Sequence, residues 1–278
     1  EPAMQHLVDD CLNIRVLDPA MGSGHFLVEV VDYISNRVID FLNAWSDNPV
    51  WAALERTRAD IVAEMERQHV TIDAERLTRV ALLKRAVLKR CVYGVDLNSM
   101  AVELAKVSLW LDAFTLGAPL SFLDHHLKWG NSLIGARIAD VQTYLDTGAT
   151  NTMDMFASSK FAGVMLATDL MRQVSYLSDN TVEQSRQSAA AYRDASDHLA
   201  PFKRLLDVYV SRWFGNAPAK KNQSDYVRLF LQDPDTEAWL NDPAAPLDNS
   251  LIPATQIAAT ATRAAAEKRF FHWELEFP

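Results

Sequence analysis

A chain of 278 residues, 49% hydrophobic and 23% charged, is long enough for one large or two ordinary domains with a real core. Its formal net charge of −9 is the wrong sign for a surface whose main task is to neutralise phosphates, so if DNA is the substrate most of the grip lies elsewhere. Cys11 and Cys91 are the only cysteines and form no CxxC pair, which argues against a disulfide framework or a zinc site; no apolar run approaches a membrane span, and a reducing cytoplasm is the expected setting.

In chain order, residues 14–17 form a short β-branched run that ends in Asp18-Pro19. Glycines follow, and 26–42 is apolar at helical spacing, so a strand, a tight turn and a helix are predicted. Residues 51–90 are rich in Ala, Glu, Arg and Leu, with Leu77, Val80, Leu83, Val87 and Leu88 near helical spacing; they predict helices joined near 70–73. The basic pairs Lys84-Arg85, Lys89-Arg90 and Lys220-Lys221 read as solvated faces. Cys91-Val92-Tyr93-Gly94-Val95 predicts a second buried strand, ending at Asp96. Ser99 is the expected N-cap of a helix reaching about residue 114, with Ala101, Leu104, Ala105, Ser108 and Leu111 on one face. A third apolar run, 132–134, follows Gly130-Asn131. Strand, helix, strand, helix, strand predicts a parallel sheet with helices packed on it.

Beyond residue 136 strand signal all but vanishes. Helical patterns such as 199–214 are broken by polar or proline-bearing stretches at 146–152, 215–224 and 241–254. At the end, Phe271-His272-Trp273-Glu274-Leu275-Glu276-Phe277-Pro278 alternates apolar and polar with a period of two, which predicts a strand. The expected organisation is an α/β core over 1–136 with a helical insert at about 36–90, a helical insert or subdomain over 137–270, and a closing strand over 271–278.

Three strings carry chemistry. In Leu17-Asp18-Pro19-Ala20-Met21-Gly22-Ser23-Gly24-His25-Phe26-Leu27, a Gly-x-Gly turn after a strand lets ligand atoms approach the backbone, and the next helix presents free N–H groups there. Gly94-Val95-Asp96-Leu97-Asn98 puts a carboxylate at a strand tip, where it can accept hydrogen bonds from both hydroxyls of a ribose. Trp129-Gly130-Asn131-Ser132 offers an amide able to read an adenine edge. Taken singly, each has a plain structural use: a turn, a helix-capping acid, a turn asparagine.

Together the strings resemble the amino-adenine (N6) DNA methyltransferases in which the cofactor motif precedes the catalytic motif, as in fused restriction-methylation enzymes and phage-defence methyltransferases. The 18–27 string is similar to their motif I, Tyr93-Gly94-Val95-Asp96-Leu97-Asn98 to motif II, and Gly130-Asn131-Ser132-Leu133-Ile134-Gly135 to the segment with motif III; 271–278 resembles what shortly precedes the catalytic motif. The resemblance implies an incomplete Rossmann-like methyltransferase sheet with large helical insertions and S-adenosylmethionine as cofactor. It implies that Asp18, Gly22 and Gly24 hold the methionine portion, Asp96 the ribose, Leu97 one face of the adenine and Asn131 its edge, with His25 and Phe26 near the sulfonium and Ala20 among the cofactor-binding residues. DNA would be the acceptor through the parent protein.

Such enzymes flip the target adenine into an Asn/Asp/Ser-Pro-Pro-aromatic loop. These 278 residues contain no Pro-Pro pair; Asn48-Pro49-Val50-Trp51 lacks the second proline and falls between motifs I and II. The sequence therefore reads as an internal fragment without catalytic residues of its own, inactive alone, whose first strand has a bare edge favouring self-association or covering by the insert. Two other classes compete. A nicotinamide-dependent dehydrogenase wants a third glycine where Leu27 stands and an acid about 20 residues after the loop. A non-catalytic methyltransferase-fold scaffold would have the same cofactor strings.

Overall fold

The computed structural model describes residues 12–45, 48–69, 77–146, 167–171, 174, 179–216, 225–248 and 251–277. The chain divides into two compact units, Glu1–Trp129 with Met171–Tyr192, and Gly130–Leu170 with Arg193–Pro278. The first break thus falls at 129/130 rather than 136/137, and 171–192 returns to the first unit. Lys220-Lys221 and the expected helix join at 70–73 lie outside the described residues.

The first unit holds a three-stranded parallel sheet in the order β1 (Val16–Asp18), β2 (Val92–Asp96), β3 (Leu127–Trp129). Register pairs Asp18 with Gly94 and Asp96 with Trp129, so the carboxyl ends of the strands lie side by side. Among the described residues β1 pairs with β2 alone. The third strand lies earlier than predicted, and Ile134 instead closes a turn by donating its N–H to the Asn131 carbonyl. The parallel α/β prediction holds in this small sheet, within a fold that is mostly helical.

Helices α1 (His25–Asn43), α2 (Pro49–Arg67), α3 (Arg79–Cys91) and α4 (Ser99–Asp112) build the core of this unit. Leu27, Val31 and Ile34 of α1 join Leu83, Val87 and Leu88 of α3 and Val102, Ala105 and Leu109 of α4 in one buried cluster. Cys91 closes α3 instead of opening β2. The α2 cap uses the apparent catalytic decoy: the Asn48 side chain accepts from the Trp51 N–H and Pro49 fills the first helical position, where its missing N–H costs nothing. Asn98, not Ser99, caps α4 by accepting from Met100. The buried face of α4 is Val102, Ala105 and Leu109, rotated from the predicted one, with Leu104 and Leu111 left exposed.

The basic pairs of α3 correct the solvated-face reading. Arg85 and Lys89 are buried; Lys89 forms an ion pair with Asp179 at 2.5 Å, and Arg85 donates to the Pro119 and Asp179 carbonyls. Lys84 bridges Asp32 and Asp112. Below them His125 and His126 lie ring to ring at 4.1 Å, with Tyr93 4.1 Å beyond. Burial, reinforced by the Lys89 and Lys128 charges, lowers His126 from 6.5 to about 3 and takes His125 well below the usual histidine range. The unfolded chain protonates these rings near 6.5, so between about pH 6.5 and 3 it binds more protons than the folded state, and stability is lost as pH is lowered through that window. Thermal scans should give a lower midpoint at pH 5 than at pH 7, and His126→Phe should shrink the difference. An unchanged pH dependence in that variant would refute the assignment.

The second unit is helical: α5 (Ile138–Asp146), the Arg193 end of α6 (Val182–Val210), a 3-10 turn (Ser211–Trp213), α7 (Tyr226–Gln232), α8 (Pro234–Asn241), α9 (Ala254–Lys268) and α10 (Trp273–Glu276). Its core gathers Phe230, Leu231, Trp239, Ile257 and Ala261. The predicted strand over 271–278 is instead a bridge, Asn131 with Phe270, followed by the α10 turn. Side-chain packing decides this: a helical turn brings Trp273 and Phe277 to 6.0 Å and lets both meet Phe271. Polar groups fix the turn in place. The Ala136 N–H donates to His272 Nδ1 at 3.1 Å, which leaves Nε2–H to donate to Asp207 at 3.0 Å, and Glu274 accepts from the Ile138 N–H at the start of α5.

No described helix is long and apolar enough to cross a membrane, and no cluster of three or more potential metal ligands occurs among the described residues.

Candidate functional site at the strand tips

The loop from Asp18 to His25 turns back on itself over the end of β2. Asp18 accepts from the Ala20 N–H at 3.0 Å, the Met21 N–H donates to the Val95 carbonyl at 3.0 Å, and the Gly24 N–H donates to the Met21 carbonyl at 2.9 Å. Met21 is thereby buried as the loop's anchor. Two glycines make the path possible. Gly22 has φ +54° and a Cβ there would meet nothing within 4 Å, so its outer side is open space at the rim. Gly24, the left-handed N-cap of α1 at φ +83°, lies so close to α4 that a Cβ would come within 3.0 Å of the Ala105 Cβ. One glycine leaves room above the loop and the other lets two helices close beneath it.

The loop and the acid at the tip of β2 are joined directly. The Gly22 N–H donates to Asp96 Oδ2 at 2.8 Å, and the Asn98 N–H donates to Asp96 Oδ1 at 2.8 Å. Each carboxylate oxygen is fixed by one backbone donor, and a carboxylate offers about four acceptor positions, so acceptor capacity remains for two further hydroxyls. His25 and Phe26 open α1, both exposed. Leu97 is exposed beside Asp96, and its carbonyl accepts from the Trp129 indole N–H at 2.9 Å. Trp129, itself partly exposed at the tip of β3, gives this rim an aromatic wall that the sequence reading did not single out. It entered that reading only as the first residue of the Trp129-Gly130-Asn131-Ser132 string.

The first unit therefore brings Asp18, Ala20, Gly22, Gly24, His25, Phe26, Asp96 and Leu97 to one group of strand and helix ends. Asn131 belongs to the second unit. There its N–H donates to the Arg269 carbonyl at 2.7 Å and its side-chain oxygen accepts from the Leu133 N–H at 3.2 Å.

With this geometry in view, residues 1–122 match the family model of the MmeI DNA-methyltransferase domain. The match takes in β1, the glycine loop, β2 and α4. A Methanocaldococcus jannaschii protein named as a type II restriction enzyme and methyltransferase is 28% identical over 144 residues, covering 48% of this chain and 10% of that protein. The chain thus spans about a tenth of the length of the curated relative it matches. No solved structure matches. Both likenesses bear out the resemblance to restriction-modification methyltransferases drawn from the motifs.

Proposed function

We propose that the first unit is the S-adenosylmethionine-binding part of a restriction-modification DNA methyltransferase that acts on the amino group of adenine. The observation that carries this reading is the Gly22–Asp96 hydrogen bond, which ties a positive-φ glycine loop to a strand-tip acid 74 positions away. Parallel sheets bind ligands in the crevice outside the carboxyl ends of their strands. The residues fit the cofactor: open space at Gly22 admits its methionine end, Asp96 retains acceptor capacity for ribose hydroxyls, and Leu97 beside Trp129 gives an apolar and aromatic surface for a purine.

In this reading Asp18, Gly22 and Gly24 hold the methionine portion, with Ala20 beside them in the loop, Asp96 holds the ribose and Leu97 the adenine face. His25 and Phe26 shape the sulfonium side. The bound cofactor supplies an electrophilic methyl group; the protein's share is orientation, since in-line attack by a neutral amino nitrogen depends on positioning more than on a covalent enzyme intermediate. The acceptor groups that would align an adenine amino nitrogen are assigned to no residue of this chain, whose 278 residues hold no Pro-Pro loop. Adenine as target, and DNA as its carrier through the parent protein, rest on the motif resemblance.

Calorimetric titration of the 278-residue chain is the test. S-adenosylhomocysteine should bind at least tenfold more tightly than NAD, and labelled S-adenosylmethionine should give no methyl transfer to DNA by this chain alone. Preference for NAD would overturn the cofactor assignment; methyl transfer would overturn the assignment of catalysis to residues outside the chain.

A further inference from the structure

Helix α4 carries apolar side chains on two sides. Val102, Ala105 and Leu109 face the core, while Met100, Leu104, Val107 and Leu111 are 65, 50, 46 and 71% exposed. Single exposed apolar residues are ordinary. Four in a row at intervals of four, three and four are the a/d seam of a helix pair, and a continuous stripe of this kind marks an interaction surface. Phe114, also exposed, prolongs it past the end of the helix. Phosphate recognition is no explanation, since the stripe holds no basic residue.

We propose that this seam pairs with the same seam of a second copy, the two α4 helices running antiparallel about a two-fold axis. The spacing is the argument. Four-three-four reads the same in both directions, so reversal sets Met100 against the partner copy's equivalent of Leu111, and Leu104 against that of Val107, filling a self-complementary interface. The flanks agree: the two-fold keeps each flank on its own side, so Glu103 falls beside the equivalent of Trp110 and Ala101 beside that of Ser108, and neither pair sets like charges together. Lys106 is turned aside into Glu103 and Asp124. A 14-residue helix is about 21 Å long, and one such pair with its flanks buries on the order of 1,000 Å², the lower limit for a specific interface. The dimer is therefore reversible and concentration-dependent.

Sedimentation velocity of the 278-residue chain from about 5 to 500 μM should show a monomer–dimer equilibrium, weakened at least tenfold by Leu104→Glu. Leu104 is outside the core, so the variant should keep its far-ultraviolet dichroism. For geometry, Ala101→Cys and Ser108→Cys chains, each with Cys11→Ser, should form an intermolecular disulfide under mild oxidation when mixed and far less when either is alone. A monomer at all concentrations would overturn the proposal and leave the seam to another protein or segment. So would a dimer insensitive to Leu104→Glu, which would point to the β1 edge, or crosslinking of either variant with itself as readily as in the mixture.

Discussion

Replacing Asp96 by alanine is expected to weaken binding of S-adenosylhomocysteine by roughly 100-fold or more, beyond calorimetric detection if the parent affinity is micromolar. Two losses combine. A hydrogen bond to a charged group contributes about 1.5–3 kcal/mol, and in the proposed complex Asp96 accepts two from the ribose; each 1.4 kcal/mol is about tenfold in affinity. The second loss is local. The same carboxylate accepts from the Gly22 and Asn98 N–H groups, so alanine releases the glycine loop from β2 as well as deleting the ligand contact. Asp96→Asn separates the two effects: its one side-chain oxygen still serves one donor, while its NH2 cannot accept, so the loss should be intermediate. If Asp96→Ala bound as tightly as the parent chain, the strand-tip site would be misassigned, and Asp96 would be only the cap of the turn before α4.

The part of the site most legible in the sequence is the part built from local chain geometry. The turn expected at Gly22 and Gly24 is there, with both glycines at positive φ, and Asp96 stands at the end of its strand. These features need only a strand, a turn and a helix start, all within a few residues of one another. What was misread depended on distant partners. Lys89 and Arg85 look like a solvated helix face until Asp179 arrives from 90 positions away. Lys128 sits within β3 because Tyr192 receives its ammonium group at 2.7 Å, and no short-range pattern predicts a strand around a buried lysine. The face of α4 was misjudged for another reason: the helix is apolar on both sides, so periodicity alone could not say which stripe meets the sheet. At 271–278 the alternation was real, but it recorded aromatic clustering around a helical turn.

Asp179→Ala is expected to destabilise the first unit by about 3–5 kcal/mol, the usual result of leaving one partner of a buried ion pair alone. The residue is fully buried, and its carboxylate has three partners. It accepts from the Phe122 N–H at 2.9 Å and the Ser188 hydroxyl at 2.6 Å, and pairs with Lys89. Alanine would strand an ammonium group that is 4% exposed, beside the Arg85 guanidinium that burial already lowers to about 10. Burial likewise lowers Lys89 to about 8 despite its partner, so the lysine answers the lost carboxylate by giving up its proton, which caps the penalty near neutral pH. The melting temperature should fall by about 10 °C, taking roughly 2–4 °C per kcal/mol for a unit of this size. Lys89→Met in the Asp179→Ala background should recover part of the loss, because an apolar side chain of similar length needs no counter-ion. A fall of less than about 2 °C in the single variant, or no recovery in the double, would mean that water reaches this cluster and that 179–192 contributes little to holding β3 against α3.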